Sequence, residues 1–307
     1  MDEKLIEKVK GRLEEKGIEV LDTRKFRRSL SFAFLKRLKG RSLASGVLFD
    51  AEENGEKRKV LALEKGSAKE EYEKLKMIEE EVDVGKDMEV PRVYLLVEEE
   101  DVVVVDYMEG HALTELLSKR NFLIGPNKEK VEGIADEAGE LLAKLHNRTK
   151  TGEKIDLKKR VNEKVSSAKE HLTPEIIEKI DEIDFKDVKV EKCLMHGDIA
   201  PDNIRYSGSK VGFVDWCKAR YDNPLLEFCS SEKIFRRMNG FFFFDDLQEL
   251  WNRMFLSYKQ NIDFKIDDHM LDMSRLYYIL DKIEERPSRL KKDPYRDILM
   301  EALEGLS

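Results

Sequence analysis

Apolar residues at Leu5, Ile6, Val9 and Leu13 recur at the spacing of one helical face and stop before Gly17, which predicts a short amphipathic helix ended by a glycine. From Ser29 the apolar period shortens toward two. Residues 29–38, 47–51 and 59–65 read as three strands, the last two joined by a turn at Asn54-Gly55. Helical spacing returns over the charged stretch 67–81, and 93–97 with 102–105 form a second strand pair across 98–101. The predicted order is three strands, a helix and two strands, with the first helix laid over them as a lid.

Beyond Gly110 the pattern changes, and Val131, Ile134, Ala138, Leu141, Leu142 and Leu145 draw one apolar stripe along a helix ending near His146. The rest of the chain reads as mainly helical. The exception is 190–214, where short apolar runs flank polar loops at 196–203 and 207–209, an arrangement that often carries chemistry. No linker rich in Pro, Gly or Ser separates the halves. The expected organisation is a sheet-and-helix lobe over residues 1–109 and a mainly helical lobe over 110–307, sharing a hinge near 106–110.

Composition narrows the class. In 307 residues, 41% hydrophobic and 39% charged with only 7 Pro and 17 Gly argues against disordered, collagen-like and membrane-spanning chains. Lys+Arg 56 against Asp+Glu 64 leaves a net charge of -8, which repels a phosphate backbone. Nucleic acid is therefore disfavoured as a partner, the basic run from Arg24 to Arg41 being its one foothold; a solvated strand face is the default for that run. Charge begins at Asp2, without the apolar stretch of a secretory signal, and Cys193, Cys217 and Cys229 suit neither a disulfide frame nor a zinc clamp. A cytoplasmic protein with no membrane partner is expected. Nothing in the sequence speaks to oligomeric state.

The chemistry concentrates in Cys193-Leu-Met-His196-Gly197-Asp198-Ile-Ala-Pro-Asp-Asn203-Ile-Arg-Tyr and in the apolar run Val211-Gly-Phe-Val that ends at Asp215. Phosphoryl transfer from a nucleotide needs one carboxylate to orient or deprotonate the attacking hydroxyl, and oxygen ligands to hold Mg²⁺ against the phosphates. Asp198, Asn203 and Asp215 supply that set, and a hairpin through Gly208 can return Asp215 to the edge that carries the loop. Alone, each of His196, Asp198 and Asn203 is an ordinary turn former; the spaced combination is what points to chemistry.

On these residues the chain resembles the aminoglycoside phosphotransferase and choline kinase-like family, whose catalytic loop reads H-G-D-x-x-x-x-N. The resemblance implies an α+β, bilobal protein-kinase-like fold, with a small antiparallel-sheet lobe and a larger mainly helical lobe. It further implies an ATP- (or other nucleoside triphosphate-) and Mg²⁺-dependent enzyme that moves the γ-phosphate to a hydroxyl of a small-molecule acceptor. By it, Asp198 is the catalytic base, His196 braces the loop, and Asn203 and Asp215 are magnesium ligands. Asp222-Asn223-Pro224 with Leu226-Glu227 resembles the family's G-D-P-x-x-D-L stretch, Glu227 standing in a structural role where an aspartate is usual. Ala200, where a protein kinase places a lysine, and Asp215-Trp216-Cys217 in place of D-F-G both point to small substrates. A kinase acting on RNA or protein, or a non-catalytic nucleotide-binding scaffold, are the alternatives.

The nucleotide side is read by the same resemblance. Gly40-Arg-Ser42-Leu-Ala-Ser45-Gly46-Val47 lies where a kinase keeps its phosphate cover, and the hydroxyls of Ser42 and Ser45 can donate there; a plain polar hairpin turn is the other reading. Lys65 is the expected phosphate lysine, with Lys59 as its rival, and Glu71 the helix acid that holds it. In the hinge, Asp106 offers its carbonyl and Met108 its amide to adenine, with Val104 or Val105 against the ring. His146 at its helix end reads as structural; Phe241 to Phe244 followed by Asp245 and Asp246, with Trp251, Phe255 and Tyr258 at helical spacing beyond, could line an acceptor pocket, but core is the reading taken.

Overall fold

The computed structural model describes residues 1–26, 45–64, 66–81, 89–121, 128–238, 247–291 and 294–307. They form two compact units, Met1–Val131 with Pro201–Lys218, and Glu132–Ala200 with Ala219–Ser307.

In the first unit, helix α1 (Glu3–Glu14) starts where the Asp2 carboxylate accepts the Leu5 N–H at 2.9 Å. It ends ahead of Gly17, whose φ of +77° lets the chain reverse. Five antiparallel strands come next, in spatial order β1-β2-β3-β5-β4: β1 (Ile18–Phe26), β2 (Ser45–Glu53), β3 (Glu56–Glu64), β4 (Val93–Val97) and β5 (Val102–Asp106). The strand expected at 29–38 lies outside the described residues; β1, which the sequence pattern does not mark, pairs with β2 from Ile18↔Glu53 to Phe26↔Gly46. A bulge between Val20 and Asp22 breaks the alternation of β1 and leaves Leu21 48% exposed, which hides the strand from a period-two reading. The β2–β3 turn is the expected one, with Asn54 and Gly55 both at positive φ (53° and 83°).

Alternation sorts the sheet into two faces. Val47, Phe49, Ala51, Val60, Ala62, Val102 and Val104 pack with Val9 and Leu13 of α1. Leu48, Leu61, Leu63, Val103 and Val105 alternate with them and are buried as well. A strand covered on both faces reads as an unbroken apolar run, which explains the four consecutive valines of β5. Helix α2 (Ala68–Glu81) packs against β4, β5 and the 3-10 turn Trp216–Lys218.

A second sheet of this unit, in order β11-β10-β6, joins β6 (His111–Ala112) to the hairpin β10 (Ile204–Tyr206) and β11 (Val211–Phe213). It is tightly seated. A Cβ on Gly110 (φ +99°) would collide with the Tyr206 carbonyl, and one on Gly212 would collide with Met108 Cε and the Glu89 carbonyl. Helix α3 (Leu113–Asn121) comes after β6, and α4 (Lys128–Arg148) carries the chain into the second unit.

The second unit is mainly helical: α5 (Leu157–Ala168), α6 (Pro174–Asp181), α7 (Leu225–Met238), α8 (Leu247–Asn261), α9 (Asp268–Glu285) and α10 (Tyr295–Leu306). Helix α9 packs against α5, α7 and α10, around a core that includes Leu157, Val161, Leu276, Ile279, Ile298 and Leu299. Two short ribbons complete it, β7 (Lys154–Asp156) with β8 (Lys189–Glu191), and β9 (Cys193–Met195) with β12 (Arg220–Asp222). Among the described residues no helix is long and apolar enough to cross a membrane.

Candidate active site

The loop that begins at His196 is fixed from below by its own unit. Strand β9 pairs with β12 from Cys193↔Asp222 to Met195↔Arg220, and Leu194 N–H donates to Thr149 Oγ1 at 3.1 Å. His196 is fully buried and its Nδ1 accepts the Asp198 N–H at 3.2 Å, which fixes the tautomer with hydrogen on Nε2. Gly197 turns the chain at φ +82°. Its N–H donates to both carboxylate oxygens of Glu227, at 3.0 and 3.1 Å.

Glu227 sits in the first turn of α7, where a negative charge is favoured by the helix dipole. Asn223 builds that turn: its Oδ1 accepts the Leu225 N–H at 3.0 Å and its Nδ2 donates to Ser274 Oγ at 2.9 Å. Burial dominates the electrostatics and pushes the Glu227 carboxyl up to about 7, with Asp198 raising it further and the His196 and Gly197 amides and Arg220 opposing. The sequence marks Glu227 as structural; what it does not reveal is that this side chain, 30 residues downstream, is the receptor for a loop amide.

The other two oxygen donors belong to the first unit. The β10–β11 ladder runs Ile204↔Phe213, Arg205↔Gly212, Tyr206↔Val211, turns at Gly208 (φ +103°), and extends one step further because Val214 N–H donates to the Asn203 carbonyl at 3.0 Å. Asn203 and Asp215 therefore stand at the same open end of the hairpin. Asn203 is buried, and the neighbouring Asp202 carboxylate accepts the Thr114 hydroxyl at 2.5 Å. Asp215 has φ +69°, a left-handed conformation that costs a non-glycine residue on the order of 1–2 kcal/mol and that Asp tolerates better than most. Trp216, fully buried, locks the turn beyond it by donating Nε1–H to the Phe213 carbonyl at 2.9 Å.

An amide oxygen and a carboxylate are hard donors of the kind Mg²⁺ prefers. Among the described residues no group of three or more His, Cys, Asp or Glu could hold a metal ion. A pair of oxygens suffices for Mg²⁺ when phosphates and water complete its shell. The donor set fits.

Helix α2, which packs against the 3-10 turn that follows Asp215, carries Glu71, only 4% exposed, in its first turn. Ser45 opens β2 opposite Glu64; Ser42 and Lys65 lie outside the described residues. Lys59, the rival lysine, is ion-paired with Glu109. In the segment expected as the hinge, Asp106 donates its N–H to the Arg92 carbonyl at 2.8 Å, and its carboxylate accepts the Tyr94 hydroxyl at 2.6 Å. Burial raises both the Asp106 carboxyl and the Tyr94 hydroxyl. The Asp106 side chain is thus committed to the fold. Of the two valines offered to a ring, Val104 is in the core shared with α1 and Val105 is on the opposite face. The Met108 carbonyl accepts from Arg205 at 3.5 Å.

His146, Trp251, Phe255 and Tyr258 resolve as packing. His146 Nδ1 contacts the Tyr258 hydroxyl at 2.9 Å, and burial pushes its pKa down to about 3. Trp251 stacks on Phe255 (5.4 Å between centroids) and donates to Ser231 Oγ at 3.0 Å. Phe241 to Phe244, Asp245 and Asp246 lie outside the described residues.

A family model described as "Phosphotransferase enzyme family" matches residues 30–257. Among solved structures, macrolide 2'-phosphotransferase MphH from Brachybacterium faecium is similar with TM-score 0.54 and 10% identity, over 98% of each chain. A thermostable mutant of aminoglycoside phosphotransferase APH(4)-Ia, in ternary complex with ADP and hygromycin B, gives TM-score 0.51 and 13% identity over 97% of this chain and 95% of that one. Amicoumacin kinase hAmiN, in complex with AMP-PNP, Ca2+ and Ami, gives 0.50 and 10% over 100% and 93%. No curated protein matches the chain.

Proposed function

The chain belongs to the phosphotransferase enzyme family, and from that premise we propose that it moves the γ-phosphate of ATP, with Mg²⁺, to a hydroxyl of a small-molecule acceptor. The observation that carries this reading is the hairpin that brings Asn203 and a left-handed Asp215 to one end of two paired strands. Asp198 accepts the proton of the acceptor hydroxyl as its oxygen bonds to the γ-phosphorus and the bond to the bridging oxygen of ADP breaks. His196 and Glu227 hold the backbone that carries Asp198. Asn203 and Asp215 are the side chains that would hold Mg²⁺, which when bound neutralises phosphate charge.

On the nucleotide side we assign Asp106 and Met108 main-chain atoms to the base, Val105 to the ring, and Ser42, Ser45, Lys65 and Glu71 to the phosphates, Glu71 acting through Lys65. In this assignment residues 1–109 bind nucleotide and 110–307 supply catalysis and acceptor binding, with the β10–β11 hairpin contributing the metal ligands. Cys193, Cys217 and Cys229 are thiols outside any disulfide, as a reducing cytoplasm would keep them. Ala200, two residues after the base, favours small acceptors.

The deciding experiment incubates the protein with γ-labelled ATP and Mg²⁺ against a panel of aminoglycosides, macrolides, amino alcohols and sugars, with RNA and protein fractions as separate arms. Label transferred to a small hydroxyl compound is the expected result. Label in RNA or protein would replace the acceptor class, and no transfer in any arm would reject the reading.

A further inference from the structure

Strand β10 is held along both edges, by different means. On one edge the β11 ladder runs on past Ile204, where the Val214 N–H donates to the Asn203 carbonyl at 3.0 Å. On the other edge β6 pairs at Tyr206↔His111 and Arg205↔Ala112. Two more steps in that register would set Thr114 opposite Asn203, but α3 begins at Leu113 and its backbone turns to helical bonding instead. A side chain takes over there. The Thr114 hydroxyl, on a residue only 2% exposed, donates to Asp202 Oδ1 at 2.5 Å. An O–H bonded to a carboxylate is short and roughly twice as strong as a neutral pair. Asp202 is half-buried in the turn 201–203 and immediately precedes Asn203. The helix that donates is itself seated, because a Cβ on Gly110, ahead of β6, would collide with the Tyr206 carbonyl. All of these residues fall in the first unit. Asn203 is therefore clasped from β11 through its own carbonyl and from α3 through its neighbour's carboxylate.

Resting on the phosphotransferase reading, we propose that Thr114 is a positioning residue for Mg²⁺ binding: its bond to Asp202 fixes the turn from which Asn203 presents its amide oxygen at the hairpin end shared with Asp215. Thr114 and Asp202 do not ligate in this assignment. Groups that hold a metal ligand in place set affinity as well, since an ordered ligand loses less freedom when the ion arrives. Because the bond is made by a hydroxyl, serine can make it and valine, of nearly the same shape as threonine, cannot.

The test is calorimetric titration of ATP into the wild type, Thr114→Val and Thr114→Ser, at saturating Mg²⁺ and in EDTA, with thermal melting of each protein. Thr114→Val should bind ATP in Mg²⁺ about tenfold more weakly than the wild type and equally well in EDTA, and Thr114→Ser should return the lost affinity. Wild-type affinity for Thr114→Val in Mg²⁺ overturns the proposal. So does an equal loss in EDTA, which would make Thr114 a nucleotide contact or a general support of the fold. A serine variant as weak as the valine one overturns it too, because the methyl group would then be the part that matters. Should Thr114→Val fail to fold, Asp202→Ala removes the same bond from the turn side. It should show the same loss confined to Mg²⁺, and either full retention of the Mg²⁺ effect or an equal loss in EDTA counts against the clasp. A wild type whose ATP affinity ignores Mg²⁺ removes the metal assignment and this inference with it; a Mg²⁺-dependent wild type with indifferent variants removes Thr114 alone.

Discussion

At the residue scale, two acids are held in states that water would not give them. Burial lifts the Glu227 carboxyl from 4.5 to about 7, so between those values the folded chain keeps a proton that the unfolded chain has released. Stability must then fall as pH rises from about 4.5 to about 7, by roughly 3 kcal/mol in all, and level off on either side. Glu227→Gln is neutral throughout and should lack that descent. Urea denaturation of both proteins at about pH 5 and about pH 8 checks this, and parallel pH dependences would refute it. Asp215 carries a backbone cost beside its proposed metal role. Asparagine also tolerates the left-handed region, so Asp215→Asn should melt as the wild type does while Mg²⁺-dependent ATP binding falls roughly tenfold or more. Calorimetric titration with and without Mg²⁺ separates the two effects.

At the scale of elements, α4 contains two glycines that predict opposite outcomes. A methyl group on Gly133 would have nothing within 4 Å, so Gly133→Ala should stabilise by about 0.5–1 kcal/mol through helix propensity. A Cβ on Gly139 would meet the Met254 carbonyl and Ser257 Cβ of α8, and Gly139→Ala should cost about 1–3 kcal/mol. Chemical denaturation of the pair measures both; the same sign for both would show that α4 does not seat on α8 as described. Elements whose signal is local were legible in the sequence. The Asn54-Gly55 turn, the buried valines of β5 and the hairpin through Gly208 all arise from neighbours within a few residues. Strand β1 was not, because the bulge at Leu21 shifts its period midway. Nor was the contact of Glu227 with Gly197, since a pairing across 30 residues leaves no periodicity.

For the whole molecule, the proposed division of labour tracks the division into units. Ser45, Glu71, Asp106, Met108, Asn203 and Asp215 fall in the first, His196 and Asp198 in the second. Binding and turnover should therefore separate: Asp198→Asn should titrate with Mg-ATP like the wild type while single-turnover transfer drops by about 10²- to 10⁴-fold. A comparable loss in both would place Asp198 among the nucleotide contacts instead. Neither unit is continuous in sequence. The first is finished only by Pro201–Lys218, after the whole of Glu132–Ala200 has been inserted. During synthesis the ribosome must deliver that entire segment before the earlier unit has all its parts, so that unit cannot complete its fold until Lys218 has emerged. No single cut in the gene yields two products that each hold one whole unit.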